Sequence, residues 1–214
     1  MLESLKNKWK RLKRRDSLLF FETPRTGSNS IGSVCRNFGI ECHGHNRRGE
    51  YIFLSQREDI EERFVFCVVR NPIERFVSCY NWLEKGGRNK YDRADAQKFG
   101  PFQGINEFIE RNLDKNDPSI LRQAHFTPMS DYLCDQKGKV IPSLIFKFEE
   151  LEASQKSVLN LIGSSGNQLP KNHQLSSHLS EKSLKEIQPK SLALLQRHYS
   201  RDFGLFYPDY VESN

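Results

Sequence analysis

The segment "FFETPRTGSNSIG", residues 20–32, has residue types and spacing that suit anion binding. An apolar run ends in Glu22-Thr23, and an arginine and a glycine then precede a helix-like stretch. A helix N-terminus offers unpaired N–H groups and a partial positive charge, and glycine allows close approach to the backbone. The sequence predicts an anion loop made of Pro24, Arg25, Thr26, Gly27, Ser28, Asn29 and Ser30, in which the backbone amides from Thr26 to Ser30 and the Arg25 side chain bind the ligand.

A second anion motif lies in "FVFCVVRNPIERFVSCY", residues 64–80. Arg70 comes one residue after a continuous apolar run, and the predicted helix that follows carries Ser78. A guanidinium and a hydroxyl on the same rim of a pocket can bind a terminal phosphate monoester. In the alternative interpretation, Arg70 caps a neighbouring carboxylate and Ser78 has no role. The presence of another anion loop in the same chain makes this alternative weaker.

Three histidines are candidate general bases, because histidine titrates near neutral pH. His43 and His45 lie in "ECHGHNRR", and His125 lies in a later segment, "HFTPMSDYL". His43 and His45 could instead be surface histidines, and His125 could merely orient its loop. The hypothesis that Cys42, His43 and His45 bind zinc has even less support, because no second pair of ligands has zinc spacing. We therefore predict no metal.

Apolar runs alternate with amphipathic stretches along the chain. Three runs read as buried strands, at 17–23, 64–69 and 141–148, and helices follow them at 28–39, 71–84 and 149–163. Residues 88–104 show no clear periodicity and are predicted to be a loop. This alternation predicts an α/β fold with a central parallel sheet flanked by helices, in which ligands bind at the carboxyl ends of the strands.

The chain has 214 residues, which is enough for one domain. Its net charge of +6 favours an anionic partner. Residues 1–16 form a basic N-terminal arm, which we interpret as solvated; a membrane-surface or nucleic-acid arm is the alternative. The domain itself is predicted over residues 17–210. Five cysteines without a C-x-x-C pair favour a reducing compartment, and no apolar run is long enough to span a membrane, so we expect a cytoplasmic protein.

The two anion motifs resemble the cofactor motifs of sulfotransferases that use 3′-phosphoadenosine 5′-phosphosulfate (PAPS). "PRTGSNSI" is similar to their 5′-phosphosulfate loop, and residues 70–80 match every fixed position of their 3′-phosphate motif, R-N/D-P-x-x-R-x-x-S-x-Y. "HFTPMSDYL" and "IFKFEELE" extend the likeness to the carbohydrate sulfotransferase group, over about residues 18–207. Two positions depart from the family pattern: Arg25 stands where most members have lysine, and Met129 replaces a glutamine.

The resemblance implies a three-layer, P-loop-like α/β fold and an enzyme of EC class 2.8.2. PAPS would be the sulfate donor, with no metal, and a carbohydrate hydroxyl would be the most suitable acceptor. The loop from Pro24 to Ser30 would hold the 5′-phosphosulfate, while Arg70 and Ser78 would hold the 3′-phosphate. His-Gly-His resembles uronyl 2-O-sulfotransferases, in which the second histidine is the base, so His45 ranks before His43 and His125.

Two other functions fit parts of the sequence. A P-loop kinase or NTPase would share the order of strand, loop and helix, but the chain has no G-x-x-x-x-G-K-[ST]. A nucleic-acid-binding protein would explain the positive charge, but no recognised nucleic-acid motif is present. We therefore expect no nucleic-acid partner.

Overall fold

The computed structural model describes residues 17–44, 53–114, 118–165, 169 and 182–211. These residues divide into two compact units. Of the described residues, the first unit comprises 17–44, 53–70, 129–165 and 169, and the second comprises 71–114, 118–128 and 182–211. The predicted N-terminal arm lies outside the described residues.

Four strands and nine labelled helices make up the described regular structure. The strands are β1 Leu18–Phe21, β2 Glu41–His43, β3 Phe64–Val69 and β4 Leu144–Lys147. The helices are α1 Ser28–Asn37, α2 Pro72–Glu84, α3 Lys90–Phe99, α4 Ile105–Ile109, α5 Met129–Leu133, α6 Leu151–Ile162, α7 Pro189–His198, α8 Ser200–Phe206 and α9 Pro208–Val211. Shorter turns of helix lie at Leu54–Gln56, Ile60–Glu62, Glu110–Asp114, Pro118–Arg122, Phe148–Glu150 and 182–185.

The first unit contains a parallel sheet with strand order β2-β1-β3-β4. Phe21, the last residue of β1, lies opposite His43 on one side and Cys67 on the other. Because all four strands run in the same direction, their carboxyl ends lie at one edge of the sheet, where ligands of such folds bind. The predicted α/β fold with a central parallel sheet flanked by helices is confirmed.

Helices pack on both faces of this sheet. Side chains alternate along β1, so Leu18 and Phe20 face one way and Phe21 faces the other. The first face packs against apolar residues of α1 and α6, in a core that includes Ile31, Cys35, Val158 and Ile162. On the opposite face, Phe21 contacts Tyr132 of α5.

The second unit is helical and has an aromatic core. Asn71 caps α2 by accepting hydrogen bonds from the backbone N–H groups of Ile73 and Glu74, and Pro72 occupies the first turn, where a missing N–H costs nothing. Phe76 of α2 then packs on other buried rings, those of Phe108, Phe126 and Tyr199. None of the helices in the described parts of the chain is long and apolar enough to cross a bilayer.

Three local predictions are wrong or incomplete. Residues 88–104, predicted to be a loop, contain α3, which begins at a capping box formed by Asn89 and Asp92. The strand predicted to be buried near residue 144 is the edge strand β4. Leu144 is 37% exposed because, among the described strands, β4 pairs with β3 alone. The short strand β2 was not predicted at all.

Candidate functional site

The anion loop holds its shape by hydrogen bonds within itself. The hydroxyls of Thr26 and Ser28 both donate to the carbonyl oxygen of Thr23, each at 2.9 Å. Both side chains are buried, so their hydroxyls point into the loop. Arg25 and Gly27 have positive φ angles of 62° and 72°. Such a conformation is strained for arginine, and strained residues of this kind cluster at functional loops.

Because these hydroxyls donate to a carbonyl within the loop, they do not bond the backbone N–H groups at the start of α1. Within the described residues, the N–H groups of Thr26 through Asn29 make no hydrogen bond. The N–H of Ser30, which we predicted to bind the ligand, instead donates to the carbonyl of Gly27 at 3.1 Å. Gly27 and Asn29 are exposed, whereas Pro24 is buried beneath the loop. Successive amides with alternating backbone conformations at a helix start are suited to phosphate or sulfate oxygens.

Arg70 lies beside this loop in the first unit. It follows β3 directly, is only 6% exposed, and donates from Nη1 to the carbonyl oxygen of Arg25 at 3.4 Å. Its guanidinium carbon lies 4.5 Å from the centre of the Phe148 ring, which follows β4. This stacking orients the cation and keeps it partly desolvated, which strengthens its attraction for an anion.

Phe148 also packs against Gly27. A Cβ atom added to Gly27 would lie 3.1 Å from Cε2 of Phe148, closer than ordinary contact. Gly27 is therefore required both by its positive φ and by the adjacent ring. Sequence reasoning did not select Phe148, although its place at the end of an apolar run was a usable signal.

His43 is the last residue of β2 and lies at the same edge of the sheet. Its ring is 5.8 Å from that of Phe21, and its Nδ1 atom is 3.3 Å from Nη1 of Arg57. Because a guanidinium can only donate, Nδ1 must accept, and a neutral His43 ring then carries its proton on Nε2. His45 lies outside the described residues.

Arg57 is itself held by two carboxylates. It donates to both oxygens of Asp59 at 2.8 Å and to Glu41 at 2.6 Å. The hydrogen bonds that Arg57 donates to Asp59 and Glu41 raise its pKa, chiefly through Asp59, and the contact with Arg57 lowers the pKa of the Asp59 carboxyl. Arg57 is thus a permanent donor beside His43.

The remaining predicted residues lie in the second unit. Ser78 is buried in α2 with 1% exposure. His125 is half-buried, and its ring lies 4.4 Å from that of Trp82. The motif residue Arg75, which we did not select, is fully buried and donates to the carbonyl oxygens of His125 and Thr127 at 2.9 and 2.7 Å. Its function in this unit is to hold the segment that carries His125.

Two further motif positions have structural explanations. Burial raises the pKa of the Tyr80 hydroxyl to about 12, and the nearby Glu84, 3.3 Å away, adds to the effect. Met129, at the family's glutamine position, is fully buried at the start of α5 and belongs to the core of the first unit.

The site of the first unit therefore combines two arginines and a row of amides at the carboxyl edge of a parallel sheet. Such a site can bind a phosphate or sulfate group and stabilise charge that develops on its oxygens. No group of three or more His, Cys, Asp or Glu side chains that could hold a metal occurs among the described residues.

A family model, described as Sulfotransferase family, matches residues 11–208. The match covers most of the chain, which therefore belongs to the sulfotransferase family, in the carbohydrate-type group (family 2) that its motifs resemble. The protein is accordingly a transferase that acts on a sulfuryl group and a hydroxyl-bearing acceptor. No curated protein and no solved structure matches the chain significantly.

Proposed function

We propose that the protein transfers the sulfuryl group of PAPS to a hydroxyl of a carbohydrate. The observation that carries the proposal is the cluster of Arg25, Arg70 and the amides of residues 26–29 at one edge of the sheet. These groups fit a nucleotide with a charged phosphosulfate, because each supplies positive potential or N–H donors without a metal.

The loop residues would bind the 5′-phosphosulfate of PAPS, which supplies the sulfuryl group. The amides of residues 26–29 would orient its oxygens, and Arg25 would balance the charge that develops on the departing phosphate. An arginine does not give up its proton, so Arg25 acts as an electrostatic clamp and not as an acid. Arg70, assisted by Ser78, would bind the 3′-phosphate.

A general base must accept the proton of the acceptor hydroxyl. We propose His45 for this step, on the resemblance of His-Gly-His to uronyl 2-O-sulfotransferases. His43 is a weaker candidate, because Arg57 donates to its Nδ1 and the neutral ring then carries a proton on Nε2. A base of this kind contributes about 10²–10⁴ in rate.

We also propose a reducing location such as the cytoplasm. All five cysteines are free thiols, and four of them are buried. This pattern is typical of proteins that work where thiols stay reduced.

The direct test is sulfate transfer from PAPS to a panel of glycans, followed by the mass increase of the product. The residue test is Arg70→Ala, which should weaken binding of adenosine 3′,5′-bisphosphate by about 10–100-fold while leaving adenosine 5′-phosphosulfate nearly unaffected, because a charged hydrogen bond is lost. Arg63→Ala is the matched control, since Arg63 precedes β3 at its opposite end. Failure of the parent to bind the bisphosphate would exclude PAPS, and equal losses for both ligands would exclude Arg70 as the 3′-phosphate residue.

A further inference from the structure

His125 and Gln123 form two hydrogen bonds with each other in the second unit. The backbone N–H of His125 donates to Oε1 of Gln123 at 2.7 Å, and Nε2 of Gln123 lies 3.0 Å from Nδ1 of the His125 ring. Nε2 of Gln123 also donates to Oδ2 of Asp95 in α3, at 2.9 Å. The side-chain amide is therefore bonded on both of its polar atoms.

These bonds determine the orientation of the amide. A backbone N–H requires an acceptor, so the atom facing it must be the amide oxygen. A carboxylate accepts, so the atom facing Asp95 must be the amide nitrogen. The same nitrogen faces Nδ1 of His125 and can only donate to it, so Nδ1 accepts.

A neutral His125 ring consequently carries its proton on Nε2. A histidine in this state donates a hydrogen bond from Nε2, and its lone pair on Nδ1 is already used. The ring therefore cannot accept a hydroxyl proton without breaking the contact with Gln123.

The main chain around His125 is held as firmly as its ring. Its carbonyl oxygen accepts from Nη1 of Arg75 and from Sγ of Cys79, both at 2.9 Å. The next carbonyl, of Phe126, accepts from the buried hydroxyl of Tyr199 at 2.6 Å. The direction of the Nε2–H bond is thus set by several independent contacts.

We propose that His125 is an acceptor-binding residue, which donates from Nε2–H to an oxygen of the carbohydrate and does not act as the base. The proposal rests on the proposed function. The ring of Trp82 lies beside that of His125, and both side chains are partly exposed. An aromatic face next to a directed polar group is the combination by which sites bind and orient small polar ligands.

The kinetic test compares three substitutions at saturating PAPS. His125→Ala should raise the acceptor KM by several-fold to about tenfold, the range for a lost neutral hydrogen bond, with kcat within a few-fold of the parent. His125→Gln should restore the KM, because the Gln amide nitrogen lies about where Nε2 of histidine lies. His125→Asn should not, because its shorter amide reaches only the position of Nδ1.

A base role gives the opposite pattern. All three substitutions would then lower kcat by about 10²–10⁴, and Gln would not rescue it. That result would overturn the proposal. Thermal melting of each variant checks that the fold is retained, and the Gln and Asn variants, which keep a polar side chain, decide the question if the Ala variant is unstable.

A second test is independent of activity. In ¹⁵N NMR of the uncomplexed protein, the His125 ring should show a protonated Nε2 and an unprotonated Nδ1 at neutral pH. Gln123→Glu replaces the donor facing Nδ1 by an acceptor, so a proton should appear on Nδ1 in this variant. A protonated Nδ1 in the parent would overturn the proposal. If the parent transfers no sulfate from PAPS, the proposed function fails with its acceptor assignment, while the spectrum still tests the protonation state.

Discussion

The anion loop, residues 24–30, and the segment that carries His125, residues 123–127, are stabilised in opposite ways. In the loop, Thr26 and Ser28 donate to a carbonyl only three and five residues away. In the later segment, three successive carbonyls accept from Arg75, Cys79 and Tyr199, which are 46 to 73 residues distant. One is stabilised by local bonds, the other by the tertiary structure.

This difference corresponds to the groups that each segment offers to a ligand, which are backbone amides in the loop and a side chain in the later segment. The hydroxyls of Thr26 and Ser28 satisfy the carbonyl of Thr23, while the amides of residues 26–29 make no hydrogen bond among the described residues, so it is the backbone that offers donors to a ligand. In the second segment, remote side chains bond the carbonyls of residues 125–127, and the side chain of His125 is what the segment positions. The comparison predicts that mutations far from the second segment will affect it strongly, whereas the loop depends on its own residues.

The largest effect is expected at Arg75. Arg75→Met leaves the buried carbonyl of Thr127 unsatisfied, which costs about 1–3 kcal/mol. It also removes a charged hydrogen bond, worth about 1.5–3 kcal/mol, from the carbonyl of His125, which keeps its contact with Cys79. We expect the free energy of unfolding, measured in urea, to fall by about 2–5 kcal/mol. The free energy of unfolding of Arg75→Lys should lie between those of the parent and Arg75→Met, because an ammonium lacks the forked guanidinium that reaches both carbonyls.

Unchanged stability of Arg75→Met would mean that other donors satisfy these carbonyls. The second segment would then not depend on α2, and the contrast with the anion loop would be lost. Arg88→Met is a suitable control, since Arg88 lies in the same unit beyond the end of α2 and outside the buried core.

The same contrast explains what sequence could predict. The loop, β3 and the start of α2 were predicted because their signals are local: an apolar run, a glycine, and a proline at a helix start. Arg75 was recognised only as a motif position, because its carbonyl partners are about 50 residues away. Gln123 was missed for a different reason: its role depends on Asp95, which lies in a stretch predicted to be a loop.

A somewhat smaller effect is expected at Gly27. Gly27 and Gly39 both have φ of +72°, but a Cβ at Gly39 would meet nothing within 4 Å, whereas one at Gly27 would meet Phe148 at 3.1 Å. Gly39→Ala therefore measures backbone strain alone, about 1 kcal/mol. Gly27→Ala should cost about 1 kcal/mol more and should weaken bisphosphate binding at least tenfold, because it displaces the ring beneath Arg70.

Calorimetric unfolding and titration with adenosine 3′,5′-bisphosphate measure both quantities for both variants. Equal losses of stability would show that the Phe148 ring yields without cost. If Gly27→Ala binds the bisphosphate as the parent does, the position of the Phe148 ring does not affect anion binding.

The smallest effect is expected from single hydroxyls of the loop, because two of them share one carbonyl. Thr26→Val alone should cost less than about 1 kcal/mol, since Ser28 still donates to Thr23. Ser28→Ala should behave in the same way. The double variant leaves that carbonyl without either hydroxyl and should lose more than the sum of the single variants, by about 0.5–1 kcal/mol.

Thr127→Val provides the reference for a single hydroxyl in the second segment, where Thr127 donates to the carbonyl of Leu121 at 2.7 Å. Its loss should exceed that of Thr26→Val, because no second hydroxyl among the described residues donates to that carbonyl. A double-mutant cycle in urea denaturation measures the coupling of Thr26 with Ser28. Strict additivity in that cycle would mean that the two hydroxyls stabilise the loop separately, and that their shared acceptor does not couple them.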